Sequence, residues 1–210
     1  MTESIPIEIE RTFMVKDVNT HLAREKKFIR QWYANREDVS IIDGNFVFSG
    51  FILNKEPLGV WTKQLQKAIE RKKPTIRVRI TDDVAIICVK GKRKGPSRIE
   101  MEWEIDRNVG LKIIENKNWP MVAKNRYYID SEDGLVWELD QFLGNNEGLW
   151  LTEVELPNKN TDFSLPNWVG LEVTEDRKLS SHRLARNPLT FWPEENREKI
   201  LGMYPRKGSL

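Results

Sequence analysis

Arg98-Ile-Glu100-Met-Glu102-Trp-Glu104-Ile-Asp106 alternates without a break. In a strand, successive side chains turn to opposite faces. One face is then Ile99, Met101, Trp103 and Ile105, and the other is Arg98, Glu100, Glu102, Glu104 and Asp106. The pattern spreads outward in both directions. Thr75–Thr81 sets Ile76, Val78 and Ile80 against Arg77 and Arg79, and Val84–Lys90 follows across Asp82-Asp83, a hairpin signal. Ile7–Val15 sets Ile7, Ile9, Phe13 and Val15 against Glu8, Glu10 and Thr12. Val122–Asp130 carries Lys124 and Arg126 on one face. Leu135–Phe142 carries Glu138 and Asp140, and Leu149–Leu156 carries Glu153 and Glu155.

A solvated charged face accounts for any one of these strands. It accounts poorly for the series. Charges come as same-sign doublets within a strand, whereas cross-strand ladders favour opposite signs side by side. The apolar faces carry large residues, as if each packed under helices. These features predict a mainly β (α+β) protein: a closed eight-stranded antiparallel barrel, apolar outside under packed helices, with a charged lumen. Like charges enclosed this way are costly unless neutralised. A divalent cation serves carboxylates at i, i+2, and a polyanion serves bases at i, i+2.

Helices are fewer in this reading. Val18–Arg30 is one, Trp61–Lys73 another with Leu65, Ala68 and Ile69 on its stripe, and Gly110–Asn116 a short third. The C-terminal part reads as a strand fragment at Leu171–Thr174 and a helix through Leu184. Val39–Leu53 holds Ile41, Ile42, Phe46, Val47, Phe48, Phe51 and Ile52, with Asp43-Gly44 as a hairpin turn.

Composition narrows the classes. The chain has 210 residues, 39% hydrophobic and 10% aromatic, enough for a sizeable core. Charged residues are 31%, yet 34 bases against 32 acids leave only +2, which argues against nucleic acid as a partner and against a polybasic membrane face. One cysteine, Cys88, and two histidines, His21 and His182, exclude a disulfide framework and a cysteine- or histidine-rich metal site. Cys88 reads as a small filler and His182 as a packing residue. No apolar run spans a membrane, and Met1–Glu8 lacks a signal core, so a cytoplasmic protein is expected.

Glu8-Ile-Glu10-Arg-Thr12-Phe13 resembles the E-x-E-x-K signature of the CYTH family, the triphosphate tunnel metalloenzymes. The resemblance continues, in the family's order, through Ile29-Arg-Gln31-Trp-Tyr33, Ile76-Arg77-Val-Arg79-Ile80, Val89-Lys90-Gly-Lys92 and Glu100-Met-Glu102-Trp-Glu104. Lys124-Asn-Arg126-Tyr-Tyr128, Trp137-Glu138-Leu-Asp140, Glu153-Val-Glu155-Leu156 and Glu172-Val-Thr174 complete it. The segment from Asn167 to Ala185 resembles the short bacterial members, mostly inorganic triphosphatases. The resemblance implies one tunnel domain over 1–210 that hydrolyses inorganic triphosphate with Mg²⁺ or Mn²⁺. It implies Glu8, Glu10, Glu153 and Glu155 as metal ligands. Arg77, Arg79, Lys90, Lys92, Lys124 and Arg126 would hold phosphates, with Glu100, Glu102 and Asp140 beside them. Glu8, Glu10, Arg77, Lys90 and Arg126 would carry catalysis.

Two departures stand out. The signature lysine is Thr12, which offers a neutral hydrogen bond in place of a cation, and residues 34–74 form an atypical insert. The first keeps a weakened polyphosphate- or nucleotide-binding tunnel as an alternative, beside nucleoside-triphosphate hydrolysis or adenylyl cyclisation. The second suggests a homodimer or protein contact through residues 39–73.

Overall fold

The computed structural model describes residues 7–54, 58–72, 74–92 and 96–203. The expectations that touch Met1–Pro6, the end of the Trp61–Lys73 helix and the 93–95 part of the turn before Arg98 lie outside them. Along the chain, β1 (Ile7–Val15) and β2 (Glu25–Tyr33) precede a small sheet of β3 (Val39–Ile42), β4 (Asn45–Phe48) and β5 (Phe51–Ile52). Next come α1 (Thr62–Ile69), β6 (Thr75–Ile80), β7 (Ala85–Lys90), β8 (Ser97–Ile105) and α2 (Arg107–Ile114). Then follow β9 (Met121–Asp130), β10 (Val136–Phe142), β11 (Trp150–Glu155), β12 (Val169–Glu172), α3 (Ser181–Arg186) and α4 (Glu194–Gly202). The pairing order runs β11-β10-β9-β2-β6-β7-β8-β1, and β11 also pairs with β1. It therefore closes as an eight-stranded antiparallel barrel, with β12 added beside β1.

The chain divides into two compact units. The first is Met1–Glu8 with Arg30–Met121. Its core packs Phe46, Phe48, Leu65, Ile76, Val78, Ile87, Met101 and Ile113. Each large apolar side chain buried this way contributes about 1.5–3 kcal/mol. The β3–β4 hairpin turns at Asp43-Gly44, both with positive φ (49° and 75°), as a type I′ turn requires. That turn places Phe46 against Trp103, ring centroids 4.6 Å apart, and β4 stacks Phe48 on Trp119. Helix α1 buries Leu65, Ala68 and Ile69, the stripe its spacing predicts. Helix α2 starts where the Asp106 side chain accepts hydrogen bonds from the Asn108 and Val109 amides. It lies so close to β7 that a Cβ on Gly110 would sit 2.3 Å from that of Ala85; glycine permits the approach.

The second unit is Ile9–Ile29 with Val122–Leu210. Phe13, Trp137, Leu139, Val154 and Trp168 form its core, with Trp137 edge-on to both Phe13 (5.6 Å) and Trp168 (5.9 Å). Phe163, Trp168 and Val169 pack on this core, so its apolar face is covered partly by loop and by β12. Asn146 ties the C-terminal part in place: its Nδ2 donates to the Leu184 carbonyl and its Oδ1 accepts from the Leu189 amide.

One expected element is overturned. Val18–Arg30 is not a helix; Thr20–Leu22 is a single tight turn and Glu25–Tyr33 is strand β2. Ile29, Gln31 and Tyr33 are buried in alternation, and Arg30–Tyr33 pairs with Arg77–Ile80. Ending the helix at Arg30 had cut this period-2 run in half, and pairing with β6 overrode local propensity. The C-terminal strand lies two residues earlier than expected, at Val169–Glu172, and α4 adds a helix that the reading of the chain did not include. Among the described residues no helix is long and apolar enough to cross a membrane.

Candidate active site

In the first unit the antiparallel registers convert alternation into rows. Tyr33 stands opposite Arg77, Arg77 opposite Cys88, and Cys88 opposite Glu102. Gln31 stands opposite Arg79, and Thr75, Lys90 and Glu100 form a third row. Arg77 donates from Nη2 to Glu102 Oε1 (2.8 Å) and Glu100 Oε1 (3.3 Å). Lys90 pairs with Glu100 and lies 3.3 Å from Glu8 Oε2, which also accepts from Arg98 Nε at 2.7 Å. Arg79 Nε donates to Gln31 Oε1 at 3.1 Å. Of the buried donors without a hydrogen-bond partner among the described residues, Gln31 Nε2 and Arg77 Nε belong to these rows.

Charge states follow from these neighbours. Burial disfavours the Glu8 carboxylate, but Lys90 and Arg98 outweigh it and hold the carboxyl well below its usual range. Burial dominates at Glu100, aided by Glu8, and moves its carboxyl up. Burial also pushes the Tyr33 phenol and the Cys88 thiol each up to about 12, so both stay protonated at neutral pH. Ligand atoms of Cys88, Glu100 and Glu102 lie within 4.8 Å of one another. A protonated thiol donating to Glu100 at 3.0 Å, beside carboxylates already held by Arg77, is nevertheless a poor metal set.

In the second unit Arg126 stands opposite Asp140, Glu138 opposite Glu153, and Glu153 opposite Thr12. Arg126 is a fork across three strands. Its Nε donates to Asp140 Oδ1 (2.7 Å), its Nη2 to Asp140 Oδ2 (2.6 Å) and Glu153 Oε2 (2.9 Å), and its Nη1 pairs with Glu138. Lys124 pairs with the same Asp140, and both side chains are only 2% exposed. Burial, and then Arg126, move the Lys124 ammonium down. Burial alone would raise Asp140, yet Arg126 and Lys124 hold it below its ordinary value.

Glu10 faces Glu155 directly across β1 and β11, as Glu138 faces Glu153 across β10 and β11. Like charges directly opposite destabilise a strand pair. Arg126 offsets this repulsion between Glu138 and Glu153, and the oxygen donors of these four residues are of the kind that suits a hard divalent cation.

The structure therefore gathers Glu8, Arg77, Arg79, Lys90, Glu100 and Glu102 on one charged surface of the first unit. It gathers Glu10, Lys124, Arg126, Asp140, Glu153 and Glu155 on one of the second. Lys92 is different: it is exposed beyond the end of β7 and makes no ion pair among the described residues. Thr12 donates its backbone N–H to Thr174 Oγ1 at 3.0 Å. Four residues of these networks were missed as site residues: Gln31, Tyr33, Arg98 and Glu138. Arg98 and Glu138 share the face parity that singled out Glu100 and Asp140, so the signal was present. Gln31 and Tyr33 sat on a strand mistaken in part for a helix.

No profile of a known protein family matches the sequence. An inorganic triphosphatase of Acetivibrio thermocellus is 38% identical over 154 residues, 73% of this chain and 97% of that protein. An inorganic triphosphatase of Nitrosomonas europaea is 37% identical over 93 residues, 43% of this chain and 62% of that protein. A crystal structure of an inorganic triphosphatase aligns with 85% of this chain and 93% of its own, at 25% identity and a TM-score of 0.47. The chain belongs to the triphosphate tunnel metalloenzyme (CYTH) family, and within it to the group of the inorganic triphosphatases.

Proposed function

We propose that the chain hydrolyses inorganic triphosphate in a reaction that depends on Mg²⁺ or Mn²⁺. Water attacks the terminal phosphorus, the phosphoanhydride P–O bond breaks, and orthophosphate and pyrophosphate leave. Such a reaction needs cations around the developing charge and an in-line water. In the first unit Arg77, Arg79 and Lys90 are the proposed phosphate ligands, with Glu100 and Glu102 fixing their direction. In the second unit Lys124 and Arg126 take that role, with Asp140 fixing theirs. Lys92, exposed, is the weakest member of the set. Glu10, Glu153 and Glu155, with Glu8 from the first unit, are the carboxylates proposed for the metal, which when bound supplies Lewis-acid polarisation of phosphoryl oxygens. Glu8, Glu10, Arg77, Lys90 and Arg126 are the residues proposed to carry catalysis.

The observation that carries this reading is the burial of Arg77, Lys90, Lys124 and Arg126, each at most 6% exposed and each held on a carboxylate. Clustered bases aimed by carboxylates in this way suit a polyanion. The relative from Acetivibrio thermocellus supplies the reaction. The same proposal treats 1–210 as one functional domain in the cytoplasm, with 34–74 an insert. The exposed Ile42 and Ile52 in that insert support a contact with a second copy or another protein.

The test is phosphate release from tripolyphosphate and from ATP, each with Mg²⁺, Mn²⁺ or EDTA, with Glu10→Ala as control. Release from tripolyphosphate that EDTA and Glu10→Ala both abolish is the expected result. Faster release from ATP would transfer the reading to nucleoside triphosphates. Tight calorimetric binding with no release would favour a sequestering tunnel, and would point to Thr12.

A further inference from the structure

Gln31 is a buried polar side chain opposite Arg79, only 1% exposed. Its amide is oriented by Arg79, whose Nε donates to Gln31 Oε1. The same amide then presents Nε2, which has no hydrogen-bond partner among the described residues. A buried amide donor left unmade costs about 1–3 kcal/mol. Native structures rarely carry that cost without a ligand or water to relieve it. Two residues along β6 from Arg79, Arg77 Nε is a second buried donor in the same condition. Both groups are donors, and both lie next to Arg79, one across from it on β2 and one two residues along β6; a basic corner of this kind suits an anionic acceptor.

We infer that Gln31 is a substrate-contacting residue: its Nε2–H donates to a phosphoryl oxygen of the triphosphate, while its Oε1 holds Arg79 in line. The inference rests on the proposed triphosphate reading and extends it to a neutral donor. A neutral amide adds a directional contact without adding charge to a surface already rich in guanidinium groups. Its Oε1 couples it to Arg79, so one phosphoryl group would meet a fork built from two strands.

Two variants separate this role from a structural one. Gln31→Glu keeps the size and keeps an oxygen acceptor for Arg79, but replaces the N–H donor by a carboxylate. Gln31→Met keeps the volume and removes both contacts. The first measurement is calorimetric binding of tripolyphosphate to wild type and both variants without metal. The second is KM and kcat with saturating Mn²⁺. Loss of a hydrogen bond to a charged group corresponds to about tenfold or more in affinity. Gln31→Met is expected to raise Kd and KM about tenfold with kcat changed far less. Gln31→Glu is expected to raise them about a hundredfold, because its charge opposes the anion.

If Gln31→Glu binds tripolyphosphate like wild type, the residue only positions Arg79 and the donor assignment is overturned. A lowered melting temperature with unchanged Kd in both variants overturns it equally. Wild type that binds tripolyphosphate but releases no phosphate defeats the proposed hydrolysis, yet leaves the Gln31 assignment to be decided by the binding constants. Wild type that does not bind defeats both.

Discussion

The two units write the same pattern of alternating strands and arrive at opposite balances of charge. In the first, Arg77, Lys90 and Arg98 meet Glu8, Glu100 and Glu102, and Arg79 donates to the Gln31 amide. In the second, Lys124 and Arg126 are shared among Asp140, Glu138 and Glu153, and Glu10 faces Glu155 a step away. The bases outnumber the acids in the first set, and the carboxylates outnumber the bases in the second. The burial differs as well. Lys124–Asp140 is sealed, whereas Glu102 on Arg77 is 41% exposed and Arg98–Glu8 is 19% exposed at each end. The lesson is that one strand pattern builds charge pairs of very different solvent access, from sealed to half-open.

That contrast can be broken most directly by stability. Asp140→Asn leaves Lys124 and Arg126 buried without their shared counter-charge, and removing one partner of a buried pair costs about 3–5 kcal/mol. Glu102→Gln removes a partner that water already screens, and should cost no more than about 1 kcal/mol. Denaturant unfolding of both variants measures the difference. Equal midpoints would mean that burial does not separate the two networks.

A second, smaller effect concerns acid. Asp140 has a folded pKa depressed below its ordinary 3.8, so its contribution is fully present above that value. It is lost as pH falls through the folded pKa. Wild type should therefore lose stability steeply below about pH 4, and Asp140→Asn should lose less over the same range. Melting temperatures recorded from pH 6 to pH 2 test this; parallel curves would remove Asp140 from the account.

The smallest expected effect is at Thr12. Its cross-strand partner Glu153 is already held by Arg126 at 2.9 Å. A lysine here would be a second cation for a carboxylate that has one. Thr12→Lys should change kcat/KM for tripolyphosphate by less than about tenfold, within the 1.4 kcal/mol that a tenfold change represents. A gain of several orders of magnitude would show that Arg126 does not compensate for the missing lysine.

Much of this was legible before any coordinates. The β8 alternation, with the doublets at Arg77/Arg79, Lys124/Arg126 and Glu153/Glu155, implied strands whose charged faces carry chemistry. Period-2 patterning is a local property, and these strands obey it strictly. The Asp43-Gly44 hairpin was legible for the same reason, since its turn residues need positive φ. Gln31 and Tyr33 were not, because Lys26 to Tyr33 carries charges and aromatics on both faces and its period shows only beside β6.

The sequence by itself determined which side chains share a face, which strands carry acids or bases, and, through its relatives, the family. Strand faces follow from the geometry of a single chain. Tertiary structure decided which charges meet. The register of β10 with β9 and β11 puts Arg126 on Asp140, Glu138 and Glu153 at once. The register of β2 with β6 aims Arg79 at Gln31 and leaves a donor waiting. Register is set by contacts between segments far apart in the chain. A shift of one residue would turn every one of these groups to the other face.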